Sequence, residues 1–498
     1  MSVAEKTFES AIERASYSKL IEHFIDGKFV RAQSGETFDN TNPATGEVIA
    51  QVASGNAADV DMAVKAAKKA FDNGPWRHLP IKERCRILHK VGDLILANKE
   101  ILAKAETRDT GKPISESLEG DIPRAAQNFH FFADYAQTIS EDCFTVAEDE
   151  RHFAVREPLG VVTLITPWNL PLYLSTWKIA PCLAMGNSCV VKPAEWTPFT
   201  AYLLCYIMQE AGVPAGVFNV VHGFGANSAG EALTRHPEVS AISFTGETTT
   251  GKAIMAAAAP TLKKVSFELG GKGATVLFED ADLKDAIPIA VRAAFRNQGE
   301  ICLCGSRLYV QESIYKQVLD EMVNAANNIV VGDPQDKNTQ MGAIISKEQL
   351  EKVEGYIEIG KKEGKLLAGG ERVAKLAHGF FLRPAILADL KNDSRCLQEE
   401  IFGPVLPIVP FKTEEEVIDM VNSTPYGLST SIFSSDVNRC HRVSQKIRMG
   451  IVWINCWFAR DLRTPFGGQK ASGIGREGGK YGLDFFSEQK TICYKYKS

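Results

Sequence analysis

Val161-Val-Thr-Leu-Ile165-Thr-Pro-Trp-Asn169 is a short apolar run that stops at a proline turn. A run of this length, bounded by turn formers, reads as a buried strand. It opens a series. Cys189–Val191, Val217–Val221, Ala241–Phe244 and Thr275–Phe278 repeat the pattern, with helical stretches such as Thr200–Ala211 between them. Buried strands that alternate with helices predict parallel βαβ units, covered on both faces of the sheet. A second series follows. Its strands lie near Ser306–Val310, Val405–Val409 and Ile451–Asn455, and its helices near Ile314–Ile329, Lys347–Lys361 and Glu414–Val421. The expected fold class is α/β, with two parallel-sheet domains divided near Glu268–Lys272.

Upstream, Asn56 to Gly74 is an amphipathic helix: Val60, Val64, Ala67 and Phe71 share one face, Asn56 caps it with Asp59 three positions on, and Gly74 stops it. The first 150 residues read largely as helices of this kind. Downstream, Thr491–Tyr496 is β-prone and reads as an added edge strand that pairs with a partner chain.

At 498 residues the chain is too long for a single core. A net charge of −5 gives no footprint for nucleic acid and argues against an anionic membrane surface as a partner. Met1–Lys6 carries no apolar leader, the final Lys495-Tyr-Lys-Ser498 matches no targeting signal, and no apolar run is long enough to span a bilayer. Eleven scattered cysteines are not a disulfide framework; they fit a reducing cytoplasmic compartment. No Cys/His set suggests a metal site.

Ligands of open parallel sheets bind beyond the carboxyl ends of the strands. The residues that follow each strand are therefore the candidates, and each also has a plainer reading. Thr166, Pro167, Trp168 and Asn169 follow the first strand; Asn169 is either a turn former or an amide donor to a developing oxyanion. Lys178 is a helix lysine or part of a proton path. Lys192 and Glu195 are a solvated pair or the contacts of an adenosine ribose. Gly223-Phe-Gly225-Ala-Asn-Ser-Ala-Gly230 and Phe244-Thr-Gly246-Glu-Thr-Thr-Thr-Gly251 are not GxGxxG, yet together they offer backbone N–H groups and a helix N-terminus to a pyrophosphate. Glu268, followed by Leu269 and two glycines, is a solvated strand-end acid or a mobile general base. Cys302, on a connection between helix and strand, is a small buried hydrophobe or a nucleophile. Glu400 and Phe402 sit in a Gly-Pro loop or beside a nicotinamide riboside.

Taken in order, from Asn42-Pro-Ala-Thr-Gly-Glu47 to Pro465-Phe-Gly-Gly468 and Ser472-Gly-Ile-Gly-Arg476-Glu477, these motifs resemble the aldehyde dehydrogenase superfamily over nearly the whole chain. The resemblance implies Cys302 as nucleophile, Glu268 as general base, Asn169 as oxyanion donor and Lys178 beside them. It implies an NAD cofactor held by Thr166, Pro167, Trp168, Lys192, Glu195, Gly225, Gly230, Phe244, Gly246, Thr249, Leu269, Glu400 and Phe402. It also implies an NAD-binding domain over 1–137 and 157–268, a catalytic domain over 269–482, and oligomerisation strands over 138–156 and 483–498 of a homodimer or homotetramer. The chain departs from the family pattern at Glu247, usually Ser, whose carboxylate would repel phosphate, and at Glu300, often Gln, which would raise a nearby thiol pKa. Cys304, two past the nucleophile, is a conceivable but strained oxidative partner.

The loop Asn455-Cys-Trp-Phe-Ala-Arg460-Asp-Leu-Arg463-Thr-Pro-Phe466 resembles the branch that oxidises 2-aminomuconate and 2-hydroxymuconate semialdehydes. On that resemblance the substrate carries a carboxylate, and Arg463 is its expected partner because Arg460 can pair locally with Asp461. Arg124 is a second clamp or, with Asp121 beside it, a structural residue. A broad aldehyde or aminoaldehyde oxidiser, a coenzyme A-acylating enzyme and a catalytically silent protein are the competing readings. The retained Glu268 disfavours the acylating type, and the intact Cys302, Glu268 and Asn169 disfavour the silent one.

Overall fold

The computed structural model describes residues 10–497. The termini read for targeting signals, Met1–Lys6 and Ser498, lie outside them. Two large sheets carry the fold. In the first, the order runs Gly473–Ile474, Lys264–Glu268, Val239–Thr245, Val161–Ile165, Ser188–Lys192, Phe218–Val220, His23–Ile25, Lys28–Val30, and the interior pairs from Lys264–Glu268 to Phe218–Val220 are parallel. From Val161–Ile165 the chain adds strands on one side and then crosses to add Val239–Thr245 on the other. The strand order reverses there, which opens a crevice beyond the carboxyl ends of those strands.

The chain leaves the first sheet at Glu268 and enters the second at Ala274. The second sheet runs Lys365–Ala368, Ala385–Ala388, Val405–Phe411, Arg307–Gln311, Ala274–Leu277, Ser429–Phe433, Ile451–Ile454; only the first of these is antiparallel to its neighbour. Ser429–Phe433 escapes the sequence reading for a clear reason. Three of its five residues are Ser or Thr, yet all five are buried between Ala274–Leu277 and Ile451–Ile454. The helix Val437–Lys446 is missed too, although Asp436 caps it by accepting from the backbone N–H groups of Asn438 and Arg439.

The helix expected from Asn56 spans Ala57–Asn73 with a full capping box between Asn56 and Asp59. Val60, Val64 and Ala67 are buried on its inner face, while Phe71 is half-buried. The expectation that the first 150 residues are largely helical holds from Ala57 to Ala136 and fails on either side of it. Strands occupy Leu20–Ile21, His23–Ile25, Lys28–Val30, Thr37–Thr41, Val48–Ala53 and Asp142–Ala147. Asp26-Gly27, both with positive φ, joins a hairpin between His23–Ile25 and Lys28–Val30. Asp-Gly between apolar residues is a strong hairpin signal.

The C-terminal strand spans Ser487–Lys495 and pairs antiparallel with Glu150–Pro158 of the same chain, not with a partner on that edge. Asp142–Ala147 completes this small sheet, and its residues are exposed throughout. Among the described residues no helix is long and apolar enough to cross a membrane.

Candidate active site

The crevice at the strand reversal is a cavity of about 550 Å³. The turn after Val161–Ile165 contributes Thr166, Pro167 and Trp168, and the next strand end contributes Lys192 and Glu195. Gly225 and Gly230 come from the first glycine turn; Phe244, Gly246 and Thr249 come from the second. At Gly230 and Gly246 the turns leave no room for a side chain. A Cβ on Gly230 would lie 2.9 Å from the Gly225 Cα, and one on Gly246 would lie 2.5 Å from the Phe244 ring. A Cβ on Gly251 would meet the Leu269 side chain at 2.6 Å, so Leu269 packs against the helix Thr248–Ala258. Main chain and a helix N-terminus thus line the crevice, as a phosphate-bearing ligand requires. Glu247 stands at that N-terminus and also lines the cavity.

Lys192 is buried and held. Its ammonium donates to the Gly223 and Pro193 carbonyls at 2.7 and 3.0 Å and lies 3.5 Å from the Glu195 carboxylate. Glu400 accepts from the Gly271 N–H at 2.7 Å, and burial lifts its pKa to about 7. Phe402, in the left-handed region at φ 58°, stands edge-on to Trp168 with ring centroids 5.1 Å apart. The contacts around Glu400 and Phe402 therefore reach the crevice from the second sheet.

Asn297, Gln298 and Gly299 are consecutive left-handed residues, with φ of 50°, 57° and 72°. They turn the chain sharply between the helix Leu283–Phe295 and the Cys302 loop. Cys302 is half-buried against a small apolar cluster that includes Leu303, Trp453, Trp457 and Phe466; Cys304 is fully buried. Burial, then Glu400 and Glu268, push the Cys302 thiol up; Cys304 is pushed up to about 12, mainly by burial. Both thiols are free. Asn169 donates its side-chain amide to the Glu300 carbonyl at 2.7 Å, two residues before Cys302. An amide nitrogen carries two hydrogens, so the second stays available for an oxyanion. Glu300 is buried, and its carboxyl accepts from Ile345 N–H and the Gln298 amide rather than facing the thiol.

Glu268 closes its strand with both carboxyl oxygens buried and without a hydrogen bond. Burial raises its pKa well above the usual range, and Glu477 raises it further. Lys178 is buried, and its ammonium donates to Glu477 at 2.5 Å and to the Ser243 hydroxyl at 2.9 Å. The Lys178–Glu477 pair thus lies near the Glu268 carboxyl and acts on it through charge alone. Glu477 closes the quoted Ser472–Glu477 motif but carried no role in the sequence reading; only the fold brings it to Lys178.

The two loop arginines are placed opposite to expectation. Arg463, not Arg460, pairs with Asp461: its backbone N–H and guanidinium both donate to that carboxylate, and its side chain is 70% exposed. Arg460 turns inward. Its guanidinium lies 4.1 Å over Trp177 and 4.0 Å over Phe466, and donates to the Tyr173 hydroxyl at 3.1 Å. Arg124 lies over the same Tyr173 ring at 5.4 Å. Arg124 Nε and Nη2 and Arg460 Nη2 are buried without a hydrogen-bond partner, and among the described residues no carboxylate pairs with either arginine. Asp121 does not hold Arg124, because it is taken by Lys112 at 2.6 Å.

Residues 29–492 match the family model described as "Aldehyde dehydrogenase family". The chain is 48% identical to the 2-hydroxymuconic semialdehyde dehydrogenase of Pseudomonas sp. (strain CF600), over 96% of this chain and 100% of that one. It is 47% identical to the human 2-aminomuconic semialdehyde dehydrogenase, over 96% and 98%. Among solved structures, the NAD+ complex of aldehyde dehydrogenase from Bacillus cereus superposes with a TM-score of 0.95 at 41% identity, over 98% and 99% of the two chains. The family match, these identities and the superposition agree, and this chain belongs to the aldehyde dehydrogenase family.

Proposed function

We propose that this enzyme oxidises a semialdehyde that carries a remote carboxylate, of the muconate type, with NAD in preference to NADP. The observation that carries the substrate class is the pair Arg124 and Arg460. Buried guanidinium N–H groups without acceptors are costly, at about 1–3 kcal/mol or more for each unsatisfied group. A substrate carboxylate supplies those acceptors with bidentate geometry. The names of relatives near 47% identity support the same class.

The site residues then divide the chemistry. Cys302 gives its proton to water, and the thiolate sulfur attacks the aldehyde carbon. The oxygen that gains charge is met by the free Asn169 amide hydrogen and, on the family resemblance, by the Cys302 backbone N–H. NAD, which Lys192, Glu195 and the glycine turns would hold in the crevice, would supply the hydride acceptor needed to oxidise the Cys302 adduct to a thioester. Glu268, ionised, takes a proton from water; the water oxygen attacks the thioester carbon and the thiolate leaves. Glu195 accepts from the adenosine ribose hydroxyls in this reading, and a phosphate there would meet its charge at a cost of several kcal/mol.

The test is NADH formation with chain-length-matched aldehydes, one with and one without a terminal carboxylate, each with NAD and NADP. The acidic substrate should win in kcat/KM by roughly a hundredfold, the scale of one desolvated charge pair. Equal efficiency would make this a broad aldehyde oxidiser, and equal use of NADP would remove the role of Glu195.

A further inference from the structure

We infer that Lys112 is a positioning residue that couples the oxyanion donor to the carboxylate clamp: it grips the Asn169 main chain and, by holding Asp121, leaves Arg124 free for the substrate. The second half rests on the function proposed above; the first does not.

Lys112 sits in the turn Gly111-Lys112-Pro113, just past the helix Lys99–Thr110. Gly111 has φ 76°, and a Cβ there would lie 2.7 Å from the Ala343 carbonyl, so the turn is packed against the second domain. Lys112 is fully buried. A lysine seldom sits so deep unless its charge is paired. Its ammonium donates to Asp121 Oδ2 at 2.6 Å and to the Asn169 carbonyl at 2.8 Å. The same carbonyl accepts from the Asn297 amide at 3.2 Å, and the Asn169 side chain is tied to the Glu300 carbonyl. Asn169 is thus fixed at both ends between Lys112 and the nucleophile loop.

Asp121 ends the wide turn Ser117–Asp121, which runs without a break into the helix Ile122–Ala136. Asp121 and Arg124 are three apart on one helical path, the spacing at which side chains meet. A free Asp121 carboxylate would be the nearest partner in sequence for the Arg124 guanidinium. Lys112 removes it from that competition. One ammonium therefore serves both ends of the substrate: the carbonyl oxygen through Asn169 and the carboxylate through Arg124.

The test measures KM and kcat on an acidic and a neutral aldehyde for wild type, Lys112→Met, Lys112→Gln and the double variant Lys112→Met/Asp121→Asn. Lys112→Met should raise KM for the acidic aldehyde by roughly tenfold, the scale of one charge-assisted hydrogen bond, and lower kcat on both aldehydes. The double variant has no stray carboxylate, so KM for the acidic aldehyde should return toward wild type while kcat stays low. Lys112→Gln keeps a donor but no charge, so it should retain more kcat than Lys112→Met while KM for the acidic aldehyde still rises. It also covers the case in which Lys112→Met fails to fold. Loss of kcat/KM in equal measure on both aldehydes, with no recovery of KM in the double variant, would overturn the inference, as would a Lys112→Gln enzyme with wild-type KM for the acid. A wild type with no preference for the acidic aldehyde would instead refute the proposed substrate, and kcat on the neutral aldehyde would still test the grip on Asn169.

Discussion

The two sides of Cys302 are built by different rules. On the cofactor side the buried charged groups Lys192 and Glu400 are held within the protein: Lys192 donates to main-chain carbonyls, Glu400 accepts from Gly271, and glycine turns supply part of the walls. On the substrate side the polar groups are buried and unsatisfied: both Glu268 oxygens, Arg124 Nε and Nη2, and Arg460 Nη2. A dinucleotide can be recognised by backbone, which is shape and partial charge fixed in advance. A short acidic aldehyde has few atoms, so each charged contact must be strong and must not be spent on an internal partner. On the function proposed above, this difference would assign specificity to the substrate side.

The sharpest cut removes the reacting group common to both sides. Cys302→Ala should lower turnover by roughly four to six orders of magnitude, the scale seen when a covalent nucleophile is lost. Cys304→Ala should keep most of the activity, since Cys304 is fully buried. The reverse pattern would move the chemistry to the wrong cysteine.

A smaller effect probes the charge between the two sides. Glu268 and Glu400 both oppose ionisation of Cys302, after burial. A neighbouring carboxylate disfavours the thiolate, so its removal lowers the thiol pKa. The pH at which iodoacetamide alkylates Cys302 should therefore move down in Glu268→Gln. An unchanged or higher midpoint would place Glu268 away from the thiol.

Much of this was legible in the sequence because parallel strands are apolar on both faces, and the binding residues follow them directly. Thr166 to Asn169, Lys192 and the glycine turns could be read in that way. The orientation of Arg460 and Arg463 could not. They lie three apart in a loop with no periodicity, and Asp461 between them can pair with either. The turn decides it, because the Arg463 backbone N–H also donates to Asp461. Trp177, which stacks on Arg460 together with the loop's own Phe466, comes from a distant helix. Lys112 was equally hidden: Gly-Lys-Pro reads as a surface turn, and only the packing of that turn shows its ammonium to be buried.

The central claim is that Arg460, not Arg463, faces the substrate carboxylate. The measurement is kcat/KM on the acidic and the neutral aldehyde for Arg460→Gln beside Arg463→Gln. Arg460→Gln should lose efficiency on the acidic substrate by about 2–5 kcal/mol, as for a broken buried charge pair, and far less on the neutral one. Arg463→Gln, which breaks only an exposed pair with Asp461, should change neither by more than about 1 kcal/mol. Equal losses on both substrates in Arg460→Gln, or a selective loss in Arg463→Gln, would contradict the account.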